Sequence, residues 1–165
     1  MDYDFWTEAE VITVMFGVID KFLIPRFHEL KMRASGDWEQ SLAAERTGIN
    51  QAVIKGQFYS EFLAKGRNQN RDQSPEAIRR WAVWAGSTFI KDWVQDKGIA
   101  ANPIAIAYGI ARKGTSWKRQ GGSNLLEVLT EPETVAYVQK ELGVFAKPRI
   151  AEALRRNARQ AFNNI

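Results

Sequence analysis

The lone histidine is the first residue to test for chemistry. His28 sits beside Phe27 and Glu29 in a helical run. A triad built on it would need an acid aimed at the imidazole. Adjacent helical side chains diverge by about 100°, so Glu29 is poorly placed to orient it. His28 therefore reads as structural. Two acid pairs are available, Glu131 with Glu133 and Asp92 with Asp96. The first sits at a helix start, where carboxylates offset the helix dipole, and the second reads as a solvated helical edge. Metal-assisted hydrolysis needs several acids converging on one site, and the spacing suggests no such site. Gly121-Gly122-Ser123 lacks the remaining glycines and the preceding strand of a phosphate loop. The chain has no cysteine, which excludes thiolate zinc sites, disulfides and cysteine nucleophiles. No catalytic, cofactor-binding or metal-ligating residue is expected, and the chain reads as a non-enzyme.

Mixed aromatic and basic residues are more suggestive. Trp81, Trp84, Trp93 and Trp117 lie near Arg79, Arg80, Lys91, Lys113, Lys118 and Arg119. Such mixtures can stack on single-stranded nucleic acid. They also arise when core tryptophans are edged by surface charge, because large aromatics are mostly buried. Tryptophan is favoured at subunit interfaces too. Lys and Arg total 23 against 19 Asp and Glu, a formal charge of +4 with a pI near 9.4. That mild excess fits nucleic acid or an acidic partner surface. It concentrates in Ile110–Gly122 (Arg112, Lys113, Lys118, Arg119) and after Phe145 (Lys147, Arg149, Arg155, Arg156, Arg159). Runs of this kind are ordinarily solvated faces.

These residues must be positioned by a fold. A chain of 165 residues suits a single domain that buries roughly 70% of its unfolded surface. Hydrophobic residues at 45% and charged residues at 25% match a globular protein and exclude a disordered or fibrous one. The opening Met1-Asp2-Tyr3-Asp4 is acidic, unlike the basic start of a signal peptide. The longest apolar stretch, Val11–Ile19, is about half a membrane span. A cytoplasmic chain is expected.

The pattern predicts a long helix over 1–33, a small sheet within 38–63 and a helical region over 74–162. Thr7 caps the first helix, and Ile12, Met15, Phe16, Ile19, Phe22, Leu23, Phe27 and Leu30 form a wide apolar face. Val11, Val14 and Val18 lie on the opposite side, a surplus that suits a second neighbour. Pro25 predicts a kink or break. Strands are expected over Trp38–Ala44, Gln51–Lys55 and Phe58–Leu63, with turns at Ser35-Gly36-Asp37 and Thr47-Gly48-Ile49-Asn50. Gly66–Ser74 is polar throughout and reads as an exposed loop. Ser74-Pro75-Glu76 starts a helix, Gly86-Ser87 divides it, with Ser87 capping the second piece, and Gly98 ends that piece. Asn102-Pro103 starts the next helix and Gly114 ends it. Trp117–Ser123 is a basic loop, and Leu125, Leu126, Val128 and Leu129 form a short buried piece. Thr130 caps a helix ending near Gly143, and a last helix runs from Pro148 to Phe162 with Ile150, Leu154, Ala158 and Ala161 on its apolar side. Asn163-Asn164-Ile165 is a frayed tail. Helix, antiparallel meander and further helices in that order make an α+β fold.

Three stretches, taken together, resemble the neck and tail-completion proteins of tailed bacteriophages. They are Arg33–Trp38 with Ser41-Leu42; Ala52–Gly56 through Tyr59, Phe62-Leu63 and Gly66-Arg67; and Ile90, Trp93, Lys97-Gly98-Ile99 with Ile106–Gly114. The resemblance covers roughly Phe5 to Leu129. It implies a long helix, a small sheet and further helices, and a structural virion protein with no catalytic residues. It further implies a homo-oligomeric ring of six or twelve copies at the head–tail junction, between portal or adaptor and tail proteins, in passing contact with double-stranded DNA. On this reading the chain is in the host cytoplasm before assembly and in the virion afterwards, with no membrane partner. Arg67, Arg71, Trp81, Trp84, Trp117, Lys118 and Arg119 are the candidate inter-subunit or lumen contacts. The alternative is a small basic nucleic-acid-binding protein.

Overall fold

A computed structural model describes residues 6–49, 51–57 and 59–163, with side-chain placements omitted at 154 and 156–163. The expected turn residue Asn50, Phe58 at the head of the third expected strand, the tail residues Asn164 and Ile165, and residues 1–5 lie outside the described residues. So do the side chains of Leu154, Ala158 and Ala161 on the expected apolar face of the last helix, whose remaining member, Ile150, is exposed. The architecture is α+β, with a long N-terminal helix, one two-stranded antiparallel sheet and several later helices. The chain forms two compact units.

Unit 1 comprises Met1–Pro25, Leu42–Lys55 and Glu127–Ile165. Its first helix, α1 (Glu8–Val18), starts with a capping box: Thr7 Oγ1 accepts from the Glu10 amide, and Glu10 Oε2 accepts from the Thr7 amide. The buried stripe is Val11, Val14 and Val18, continuing through Ile19 and Leu23. Of the expected face, Ile19, Leu23 and Phe27 are buried, and the rest is corrected. Phe16 is exposed, and Ile12, Met15 and Phe22 are only half-buried. The sequence contains two apolar sides, and unit 1 covers the valine side together with Ile19 and Leu23 of the wider one.

Pro25 does not end the helical run. Residues Ile19–Leu23 wind as a π-helix, and α2 (Ile24–Glu29) carries on beyond. The Ile24 amide bonds to the Ile19 carbonyl, one residue further back than in an α-helix. Proline removes one donor and crowds the preceding turn, and the wider winding lies in that turn.

Strands β1 (Ala43–Gly48) and β2 (Gln51–Lys55) pair antiparallel, with Ala44 opposite Ile54 and Glu45 opposite Val53. The expected strand over Trp38–Ala44 is corrected: Asp37–Gln40 forms the helical turn α3, and the first strand begins only at Ala43. The expected strand over Phe58–Leu63 is also corrected, because Ser60–Lys65 is helix α4. The sheet therefore occupies 43–55 rather than 38–63.

After the 3₁₀ turn Glu127–Thr130, one helix, α9 (Pro132–Asn163), replaces the two expected. Gly143 has ordinary helical geometry and open space around its Cα, so it is no helix stop. Pro148 deprives the Val144 carbonyl of its partner, but Val144 is exposed and water can supply one. Thr130 does not act as the expected cap: its hydroxyl donates to the Glu127 carbonyl, 2.9 Å away. Helix α1 and α9 pack together. Tyr137 lies beside Phe22 and against Gly17, and the Thr134 hydroxyl donates to the Val128 carbonyl at 2.7 Å.

Unit 2 comprises Arg26–Ser41 and Gly56–Leu126. Phe27 packs on Trp38 with ring centroids 4.4 Å apart, and Trp38 Nε1 donates to Ser60 Oγ at 2.9 Å. His28 pairs with Glu39, not with Glu29, which instead meets Arg26. Helices α5 (Pro75–Gly86), α6 (Phe89–Asp96) and α7 (Pro103–Lys113) surround a core of Ala82, Ala85, Ile90, Val94 and Ala107. Ser74 and Asn102 cap α5 and α7 with Pro75 and Pro103 behind them, as their sequences predict. Thr88, not Ser87, precedes α6, and its hydroxyl donates back to the Trp84 carbonyl. Small residues let α5 and α7 approach closely. A methyl on Gly86 would lie 2.6 Å from Ile104 Cα.

Two substitutions test this packing. Gly86→Ala presses on backbone and is expected to lower unfolding free energy by about 1–3 kcal/mol. Gly109→Ala meets nothing within 4 Å and should raise it by up to ~1 kcal/mol through helix propensity. Urea unfolding of both variants checks the difference in sign.

A pH experiment tests unit 1. Arg149 donates to both Glu10 oxygens, at 2.6 and 2.7 Å. Those bonds, with the Thr7 amide, hold the Glu10 carboxyl down to about 2 from an ordinary 4.5. The unfolded chain therefore takes up the proton first on acidification. The pair's contribution is fully present above about pH 4.5 and is lost as pH falls toward 2. Melting temperatures from pH 5 to 2 should fall less steeply in Glu10→Gln than in the parent.

Candidate functional site

The segment 66–74 between α4 and α5 is polar but is not free in solvent. It is stitched to the C-terminal end of α7. The Asn70 amide donates to the Ala111 carbonyl at 2.8 Å, and the Thr115 amide donates to the Arg67 carbonyl at 2.9 Å. The Arg67 amide donates to Thr115 Oγ1 at 2.9 Å, and Gln73 Nε2 also reaches the Ala111 carbonyl, at 3.2 Å. The last carbonyls of a helix have no partner within it, and the loop supplies one. Gly114 permits the approach. Its φ of 73° is in the left-handed region, and a methyl there would lie 2.7 Å from the Arg67 carbonyl oxygen.

This anchoring fixes Arg67. Its guanidinium lies 3.9 Å above the centroid of Trp81. It donates to the Asn68 carbonyl at 3.0 Å and to Asn70 Oδ1 at 2.8 Å. Burial lowers its pKa below the ordinary arginine value. Beside it opens a groove of about 420 Å³ between the loop and α5. Gln69, Asn70, Arg71 and Asp72 line the loop side, and Ala77, Arg80, Trp81 and Trp84 line the helix side. The helical four are spaced i, i+3, i+4 and i+7, which puts them on one face. Trp84 is 57% exposed, and its ring meets Phe89 edge-on, with centroids 5.6 Å apart.

The groove has three cations and one acid. The Ser74 amide donates to Asp72, and this bond, with Arg80 nearby, holds the Asp72 carboxyl below its ordinary range. The lining contains no nucleophile and no histidine. Its chemistry is binding: guanidinium groups for an anion, and an open indole face for something flat or apolar.

Of the candidate contacts, Arg67, Arg71, Trp81 and Trp84 converge here. Lys118 lines an adjoining hollow of about 290 Å³ with Glu61, Phe62, Lys65, Gly66 and Asn68, which shares Arg67 and Gln69 with the groove. Trp117 and Arg119 line neither hollow. Their segment is corrected from loop to the helical turn α8 (Ser116–Arg119), capped by Thr115. Arg119 turns back to donate to the Gly114 carbonyl at 3.0 Å. Sequence reasoning named Arg80 only among the basic residues near the tryptophans, and missed Gln69, Asn70 and Asp72. The helical face that Arg80 shares with Trp81 and Trp84 is the signal that finds it. Among the described residues, no acid or histidine cluster could hold a metal ion, and no helix is long and apolar enough to cross a membrane.

Arg67→Lys tests the anchoring. An ammonium cannot lie flat on the indole while donating along two directions. The substitution is expected to cost about 1 kcal/mol and to red-shift the tryptophan emission as Trp81 gains water. Thermal melts and emission spectra check both. No known protein family, no curated protein and no solved structure matches this chain.

Proposed function

We propose that the chain is a structural subunit of the head–tail junction of a tailed bacteriophage, assembling as a ring around the path of the DNA. The observation that carries this reading is the stitching just described. The runs through Tyr59, Gly66 and Arg67 and from Ile106 to Gly114 are two of the three stretches on which the phage resemblance rests. They are far apart in sequence, yet Gly114 lies against the Arg67 carbonyl, and the residues just beyond each stretch, Asn70 and Thr115, donate backbone hydrogen bonds to Ala111 and Arg67. Their order and spacing thus have a physical basis in this fold.

Exposed apolar surface supports assembly. Trp84 and Phe89 are in contact with each other and are both more than half exposed, in a unit whose buried core includes five alanines. Contiguous apolar surface of this kind marks an interaction site. A head-to-tail interface between identical chains closes into a ring when the rotation permits. The portal or adaptor above and the tail proteins below would be the neighbours, and the virion the final location.

The arginine-rimmed indole favours a second reading, a small single-strand nucleic-acid-binding protein. Two measurements separate them. Peptide mass spectrometry of purified virions should find six or twelve copies per portal ring. Gel shifts at 50 and 200 mM salt should show no tight, steeply salt-dependent oligonucleotide complex. Absence from particles together with such a complex would replace the first reading with the second.

A further inference from the structure

We infer that the groove receives residues 2–5 of a second copy of this chain. The inference rests on the ring reading and names the segment that joins one subunit to the next. The groove needs an occupant that carries anions next to aromatic rings. Arg67 is held flat by Trp81 and two hydrogen bonds, so its charge is already positioned. Arg71 and Arg80 are exposed, with Asp72 as the only acid in the lining. Trp84 offers an open ring face.

The chain itself contains a match. Asp2-Tyr3-Asp4-Phe5 alternates two acids with two aromatic residues. These residues lie outside the described part of the structure. Oppositely charged partners set the register of an interface, and aromatic anchors in a pocket supply most of its energy. The two carboxylates would meet Arg71 and Arg80, and an aromatic ring would cover Trp84. A nucleic-acid strand offers anions and flat rings too. The local acid Asp72 opposes its uniformly charged backbone, whereas a mixed segment can place a neutral residue there.

Reach sets a geometric condition. Five residues fully extended span at most about 18 Å. Trp6 of one copy must therefore lie within that distance of the groove of the next, which restricts the segment to a directly adjoining neighbour.

The absence of cysteine makes the test clean. Asp4→Cys protein is mixed with Arg71→Cys protein carrying a mass tag and is oxidised mildly. Mixtures with tagged Lys91→Cys, an exposed site on α6 outside the groove, serve as control. Native mass spectrometry of the parent chain reads assembly, and a labelled single-stranded oligonucleotide is titrated in parallel. The expected result is a tagged heterodimer formed several-fold more than in the control and reduced by 0.5 M salt. Oligomers without that excess overturn the segment's role and leave the ring reading standing. Monomers without cross-linking overturn both. Oligonucleotide binding that is lost in Arg71→Glu/Arg80→Glu, with no excess heterodimer, assigns the groove to nucleic acid instead.

Discussion

The helical unit depends on the bonds between the segment 66–74 and the end of α7. A helix end exposes carbonyl groups that must find donors, and a polar loop has amides that must find acceptors. Here each meets the need of the other through Ala111, Arg67, Asn70 and Thr115. Gly114 matters because a side chain would hold the two backbones apart. Once the loop is fixed, Arg67 has one place to lie, and that place is over Trp81. The groove follows from this. Its loop wall is as well defined as its helix wall, although the loop has no regular structure of its own.

Elsewhere the chain keeps helices going through residues that commonly stop them. Pro25 follows a wider π-wound turn, and Pro148 sits four residues beyond an exposed Val144. In both cases the lost hydrogen bond is a local cost of order 1 kcal/mol set against packing of the flanking turns. The neighbours decide whether the helix survives. In unit 1 those neighbours include the packing of α1 on α9 and the Tyr137 ring against Gly17.

That balance explains what could be read from the sequence. The fold class was legible, and so were the caps at Thr7, Ser74 and Asn102, because a cap is a local event with a local signature. The face that α1 buries was not. Its two apolar sides differ little in hydropathy, and the choice of Val11, Val14 and Val18 belongs to tertiary packing. The strand expected at Trp38 failed for a similar reason. Trp38 is a good strand former, but its ring is held by Phe27 and its Nε1 by Ser60, which suits a helical turn. Arg67 and Arg71 of the loop and Trp81 and Trp84 of the helix were legible as candidate contacts. That the two walls face one another was not, since nothing in a polar run tells an anchored loop from a solvated one. The distinction lies in backbone bonds to residues some 40 positions away.

Amide hydrogen exchange at Asn70 and Thr115 tests this account most directly. If the loop is anchored to α7, both amides should exchange as slowly as those in the body of that helix, and both should lose protection together in Gly114→Ala. Exchange at the rate of an unstructured peptide in the parent protein would contradict it. The groove would then have only its helix wall.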